Sequence, residues 1–246
     1  MTDTDAGGSK AGSPPAYSLG HSERELERLS VQARLIDPIT RRFFVDAGIA
    51  PGMRVLDVGS GVGDVAFLAA ELVGATGEVL GTDRSPAALE VARKRAEARG
   101  VPNVSFREGD AGEMNIEQPF DAVVGRYVLM YQKDPTAMLR KLVAHVRPQG
   151  VVVFHEPYRD GIRSFPPVAA YDRGWQWVDD TLRRSGADPM MGIKLHATFV
   201  AAGLPTPSMR LESVIAGGAS SSDHVHFEMD PVGILVPEME RLGVAT

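Results

Sequence analysis

Apolar residues recur along this chain at two different periods, and the change from one to the other maps its organisation. Leu26, Leu29, Ala33 and Ile36 are spaced three or four apart, which predicts one apolar stripe on a helix, with Ser22 and Glu25 as a capping box at its start. Asp37-Pro38 predicts a break, followed by a short second helix from about Ile39 to Ala47, closed by Gly48. Past the Pro51-Gly52 turn the pattern becomes short, β-rich and apolar throughout: Val55 to Val58, Val79 to Thr82, Val104 to Phe106, Ala122 to Val124 and Val151 to Phe154. Helical segments lie between most of these runs: Val65 to Val73, Ser85 to Gly100 (with Ser85 as N-cap, Pro86 at the first position and a Glu90–Lys94 pair) and Pro135 to Val146. Strands that are apolar on both faces and alternate with helices predict an α/β fold, with a mostly parallel sheet covered on both sides by right-handed crossovers.

Beyond Tyr158 the pattern changes again. Two helical segments, Val168 to Arg184 and Gly192 to Ala202, form an insertion that holds both tryptophans, Trp175 and Trp177. Arg210 to Ile215 alternates and reads as a sixth strand, and a last helix runs near Val232 to Leu242. The expected organisation is a disordered tail (1–16), an N-terminal helical lid (17–50), a core (51–157), a helical cap after the fifth strand (158–203) and a C-terminal strand and helix (204–246).

Composition narrows the chemistry. With 246 residues, 43% hydrophobic and 24% charged, the chain suits one soluble α/β domain with a cap. Zero cysteine removes thiolate nucleophiles, disulfides and zinc–thiolate sites. A net charge of −6 argues against a broad phosphate-binding face. No apolar run approaches the roughly 18 residues that a membrane span needs, and Met1 to Ala16 has no apolar signal region. The expectation is a cytoplasmic protein that meets a small molecule, with no nucleic-acid or membrane partner. The oligomeric state stays open, a homodimer among the options.

The candidate chemistry begins at Gly59-Ser60-Gly61-Val62-Gly63-Asp64, directly after the first strand and before a helix. A GxG in that context lets backbone approach a nucleoside. A dinucleotide fingerprint carries glycine at the sixth position, whereas here it is Asp64, and Asp57 brackets the loop from the other side. Paired carboxylates suit a ligand with ammonium and sulfonium charges better than a pyrophosphate. S-adenosylmethionine fits, and NAD fits badly. Asp83, at the end of the second strand, is placed to accept ribose hydroxyls. Arg84 beside it invites a 2′-phosphate or is simply a surface arginine. After the third strand, Asp110 and the N–H of Ala111 are placed for an adenine amine and ring.

These residues resemble class I S-adenosylmethionine-dependent methyltransferases: VLDVGSGVGD (55–64), LGTDRS (80–85), FREGDAGEM (106–114), FDAVVGRYVLMY (120–131) and HVRPQGVVVFHEP (145–157). YSLGHSERELERLSVQA (17–33) resembles the lid of small-molecule members, including ubiquinone/menaquinone-biosynthesis and natural-product enzymes. The resemblance implies a Rossmann-like three-layer α/β/α fold with the cofactor at the strands' C-terminal edge. It also implies that Tyr17 and Gln32 close over the cofactor and that backbone at Arg126 meets its methionine end. Ser60 stands where many relatives have cysteine. The family's seventh strand is expected to lack a counterpart after Leu242, unless Val225 to Phe227 or another short piece substitutes for it.

For catalysis, proximity can carry most of methyl transfer, and a base helps with a hydroxyl or acidic carbon. His155 and Glu156 end the fifth strand and are the candidates, with His155 expected near its ordinary pKa of about 6.5; the alternative is a hydrogen-bonded strand end at His155 and a cap at Glu156. His21, His224 and His226 read as exposed, while His145 and His196 carry no signal. Tyr158, Tyr171, Trp175, Trp177 and Phe199 form either an aromatic acceptor pocket or the cap's own core. The expected activity is methyl transfer to a small molecule, with O- or C-methylation favoured. A non-catalytic binding protein of the same fold and a nicotinamide oxidoreductase are the alternatives.

Overall fold

The computed structural model describes residues 23–215 and 222–244, so Tyr17, His21, Ser22 and the predicted tail lie outside the described residues. A helix α1 (Glu23–Asp46) leads into a parallel sheet of β1 (Arg54–Val58), β2 (Glu78–Asp83), β3 (Val104–Glu108), β4 (Phe120–Arg126) and β5 (Val146–His155). The crossovers carry α2 (Asp64–Val73), α3 (Pro86–Arg99) and α4 (Pro135–Val143), and α5 (Ala169–Arg184), α6 (Met191–Ala201) and α7 (Ser222–Arg241) follow the sheet. Strand order is β3-β2-β1-β4-β5. The order reverses beside β1, and the crevice at such a switch point is where open α/β sheets bind ligands.

Alternation along the strands divides the core in two. Val55 and Val124 face one layer with Phe44 of α1 and Val65, Ala69 and Val73 of α2. Leu56, Val123 and Phe154 face the other, with Leu139 and Leu142 of α4 and the cap residues Trp175, Val178, Leu195 and Phe199. The expected helix signals are in place. Ser85 Oγ accepts from the Ala88 N–H at 3.2 Å, and Gly100 closes α3 at φ 62°. Glu90 and Lys94 pair at 3.4 Å.

Three expectations are corrected. Asp37-Pro38 does not end a helix, because α1 runs through Pro38 to Asp46. Buried Ile36, Ile39, Thr40 and Phe44 flank the proline on one face, and their packing holds the helix across it. Arg210 to Ile215 is not a strand. Leu211 and Ile215 are exposed, so no burial drives pairing, while Arg210 pairs with Asp46 and Glu212 with Arg42, holding the segment against α1. Val225 to Phe227 lie inside α7 and supply no substitute strand. The sheet of the described residues therefore has five strands, with β3 and β5 at its edges.

Candidate active site

The loop after β1 is folded by its own backbone. Ser60 N–H donates to Thr82 O of β2 at 2.9 Å and Gly63 N–H to Ser60 O at 2.8 Å, closing a tight turn between β1 and α2. Gly59 is left-handed at φ 65°, and a Cβ there would meet Val128 Cγ2 at 2.8 Å, so only glycine lets β4's following loop come this close. Gly61 is left-handed too, but a Cβ there would meet nothing within 4 Å. Open space thus lies directly over its backbone. Asp83 Oδ2 accepts the Gly61 N–H at 2.9 Å and Oδ1 the Ser85 N–H at 2.8 Å. An ionised carboxylate has about four acceptor positions, so both oxygens keep capacity for hydroxyls.

Asp57 is the most costly group in the site. Its side chain is buried at the end of β1, and neither oxygen has a hydrogen-bond partner. Burial, with the like charges of Asp83 and Asp64, pushes its pKa well above the usual carboxylate range against the pull of the nearby Arg126 charge. The Ser60 hydroxyl is likewise buried without a partner. A buried carboxylate in this condition is stabilised by a cation arriving beside it.

The other expected cofactor positions gather on the same edge. Asp110 Oδ1 accepts the Gly112 N–H at 2.9 Å, and Oδ2 pairs with Arg84. Burial works against its ionisation, but Arg84 and that N–H hold the carboxyl below its ordinary value. Arg84 is thus neutralised within the protein, which weakens it as a 2′-phosphate anchor. Ala111 is buried, and its carbonyl accepts from His145 Nε2 at 2.9 Å. Asp64 differs from expectation. Its Oδ1 binds Arg95 Nη2 at 2.6 Å, so its charge is spent on α3 rather than held for a ligand. Gln32 is buried on the same face of α1 as Ile36 and Thr40, at four-residue spacing.

The ends of β4 and β5 form a second polar assembly. Arg126 is paired in register with His155. Its buried guanidinium donates from Nη1 to Asp37 Oδ1 at 2.7 Å and to Thr40 Oγ1 at 3.1 Å, so α1 is tied down onto β4. Thr40 Oγ1 also lies 3.0 Å from His155 Nδ1 and donates to Ile36 O at 3.2 Å. With the hydroxyl proton on Ile36, the Nδ1 proton belongs to His155 and leaves Nε2 bare. Burial, and then the Arg126 charge, lower the His155 pKa to about 3. The expectation of a base near 6.5 is thereby corrected, because this imidazole stays neutral throughout the physiological range.

Glu156, one residue later, points to the opposite layer. Oε1 accepts the N–H groups of Val128 at 2.9 Å and Leu129 at 2.7 Å, and Oε2 that of Met130 at 3.2 Å. Burial pushes its pKa up to about 7, against the pull of those three donors. Its carboxylate is committed to the post-β4 loop, which makes it a positioning group, whereas the sequence had suggested a base. That loop contains Tyr127, a non-glycine residue at φ 58°. Left-handed backbone at such a residue costs about 1–3 kcal/mol and concentrates at functional sites. Its ring stands 5.7 Å from the His155 ring, with Phe43 of α1 at 4.9 Å.

Asp37, Thr40, Tyr127 and Val128 were missed by sequence reasoning. The only signal for Thr40 was its four-residue spacing from Ile36 and Gln32, and Asp37 carried none. Of the cap aromatics, Trp175 and Phe199 are buried and belong to the apolar cluster under the cap, while Tyr171 and Trp177 are half-buried against it. His196 is exposed, and the side chains of His224 and His226 lie outside the described ones. Asp121 clamps the strands' other end, accepting the Arg54 N–H at 2.7 Å. No group of three or more potential metal ligands occurs among the described residues.

Residues 49–176, about half of the chain, match the family described as "Methyltransferase domain". The chain belongs to that family. It is 32% identical over 194 residues to a 2-phytyl-1,4-naphtoquinone methyltransferase of Synechococcus elongatus, covering 76% of this chain and 80% of that protein. It is 34% identical over 152 residues to aklanonic acid methyltransferase DauC of Streptomyces sp. strain C5, covering 61% and 68%. A putative methyltransferase structure from Bacillus halodurans superposes with a TM-score of 0.52 at 21% identity, covering 66% of this chain and 67% of that one, which speaks for the fold alone. The protein is thus an S-adenosylmethionine-dependent methyltransferase. The site fits that cofactor: Asp57 lacks a cation, Gly61 faces open space and Asp83 keeps acceptor capacity. No described helix is long and apolar enough to cross a membrane.

Proposed function

We propose that this methyltransferase acts on a flat, mostly apolar small molecule whose methylated oxygen or carbon is itself acidic. A phenol, a hydroquinone or a stabilised enol meets that description. The neutral His155 carries this reading: a group with a pKa of about 3 does not remove a proton from an ordinary alcohol. Glu156 cannot take over the role, because its oxygens are engaged by three N–H groups. The acceptor's own ionisation therefore supplies the nucleophile. The quinone and polyketide relatives named above support an acceptor of this kind.

The chain's residues bind and align. Asp83 and Asp110 are placed to hold the nucleoside of S-adenosylmethionine, and Asp57 lies on the side of its positive charge. Bound there, the cofactor supplies an electrophilic methyl group on a sulfonium. The acceptor's electron pair forms the new bond to the methyl carbon as the carbon–sulfur bond breaks and leaves its pair on sulfur. The His155 ring, held at Nδ1 by Thr40 and packed against Phe43 and Tyr127, positions the acceptor, and the cap margin at Tyr171 and Trp177 excludes water.

Turnover of phenols of graded acidity tests this reading. The midpoint of each pH–rate curve should follow the phenol's own pKa, and His155→Gln should lower kcat without moving that midpoint. A midpoint fixed across the series, and abolished by His155→Gln, would restore an enzyme base and overturn the proposal.

A further inference from the structure

Among the described residues, the buried polar side-chain atoms without partners apart from those of Asp57 and Ser60 are Arg159 Nη2 and Trp175 Nε1. They belong to one assembly. The Arg159 guanidinium carbon lies 4.3 Å from the centroid of the Trp175 ring, and Arg159 Nε binds Asp179 Oδ1 at 2.5 Å. Asp179 and Trp175 sit one turn apart on α5, so a single helix presents both the indole and the arginine's anchor. Trp175 is 7% exposed, and the side chains of Arg159 and Asp179 are 15% and 19% exposed.

This arrangement is costly as it stands. A buried donor without an acceptor forfeits its hydrogen bond to water and gains none in return. The Asp179 pair compensates the arginine's charge at Nε but leaves the Nη2 edge bare. The location explains such a cost. Arg159 opens the 3-10 turn Arg159–Gly161, four residues beyond His155. Trp175 shares its apolar cluster with Val128, Leu129 and Met130, the loop that Glu156 holds beside the glycine turn. Arg159 thus stands just past the C-terminal end of β5, the strand end that carries His155, with the Trp175 indole of α5 against its guanidinium.

We infer that Arg159 and Trp175 form an acceptor subsite that binds an oxygen, carboxylate or carbonyl, carried on the aromatic ring beside the atom to be methylated. The inference rests on the acidic-acceptor reading and makes it more specific. An ortho carbonyl or carboxylate places one oxygen on the guanidinium edge and the indole N–H, which draws it out of the internal hydrogen bond that otherwise holds the neighbouring hydroxyl's proton and leaves that hydroxyl free to ionise facing the cofactor. Stacking of Arg159 on Trp175 holds the guanidinium plane fixed, so little ordering cost remains when the ligand arrives.

Calorimetric titration of the S-adenosylhomocysteine-loaded protein with three probes tests this. The probes are 1-hydroxy-2-naphthoate (carboxylate), 2-acetyl-1-naphthol (carbonyl) and 1-naphthol (neither). The expected result is binding of at least one substituted probe tenfold or more tighter than 1-naphthol, with that advantage lost in Arg159→Lys and in Trp175→Phe. Preference for the first or the second probe identifies the oxygen as carboxylate or carbonyl. Arg159→Lys keeps the positive charge, and S-adenosylhomocysteine affinity in each variant reports an intact core. Equal binding of the three probes, or an advantage that survives in Arg159→Lys, overturns the subsite and leaves the acidic-acceptor reading standing. That reading fails separately, by a pH–rate midpoint that ignores the phenol's pKa.

Discussion

Neighbouring residues at the end of β5 carry opposite proton preferences. His155 is neutral down to about pH 3, and Glu156 keeps its proton up to about pH 7. Burial causes both shifts, since it disfavours the charged form of either group. Their effects on stability have opposite signs. The lowered His155 pKa adds stability present above about pH 6.5 and lost as pH falls toward 3, because the unfolded imidazole takes the proton first. The raised Glu156 pKa adds stability that is complete below about 4.5 and lost as pH rises through about 7. Glu156→Gln removes the second dependence. Its amide also turns a donor toward one of the three loop N–H groups, at a cost of about 1–3 kcal/mol. Thermal melts should show this variant below wild type at pH 5, with the gap closing by pH 8. A gap constant with pH would show that Glu156 is already ionised when buried. Sequence pointed to these two residues as a pair but not to their difference. Strand alternation sends them to opposite layers, and only three-dimensional packing shows that one meets Thr40 and the other three backbone N–H groups.

Among the elements, those specified by local chemistry were legible in advance. The strands of the core, the Ser85 cap and the glycine turn follow from residues within a few positions of one another. The failures came where distant contacts decide. Pro38 lacks the N–H that would bond to the carbonyl four residues back, a cost of about 3 kcal/mol inside a helix, yet the buried stripe on either side keeps α1 whole. Arg210 to Ile215 alternates, but alternation makes a strand only where a neighbour strand and a buried face exist, and Leu211 and Ile215 have neither. The proline's cost is open to measurement. Its side chain is exposed, so Pro38→Ala removes little packing and restores the missing donor. Allowing about 1 kcal/mol for the added freedom of the unfolded chain, the variant should gain roughly 2 kcal/mol, visible as a melting temperature higher by about 4–8 °C. No gain would mean that α1 is not a continuous helix there.

Across the whole molecule, the ends of β1 and β2 and the loop that follows β3 bring Asp57, Asp83 and Asp110 to one edge of the sheet. The acidic composition was legible as a bias toward a cationic ligand, but sequence overstated how many carboxylates are free to meet it. Asp64 is consumed by Arg95 and Asp110 is shared with Arg84, which leaves Asp57 as the carboxylate without a partner. Such a group destabilises the empty protein and is relieved by the cofactor's positive charge, so stability and binding are coupled through one side chain. The most direct test is calorimetric titration of S-adenosylhomocysteine, whose ammonium group is retained, into wild type and Asp57→Asn, with melts of both ligand-free proteins at pH 8. The expected result is one-site binding by wild type, binding at least tenfold weaker by Asp57→Asn, and a ligand-free variant that melts above wild type. Equal affinity in the two proteins, or a variant that melts lower, would contradict it: Asp57 would then be partnered within the fold, and the cofactor's charge held elsewhere.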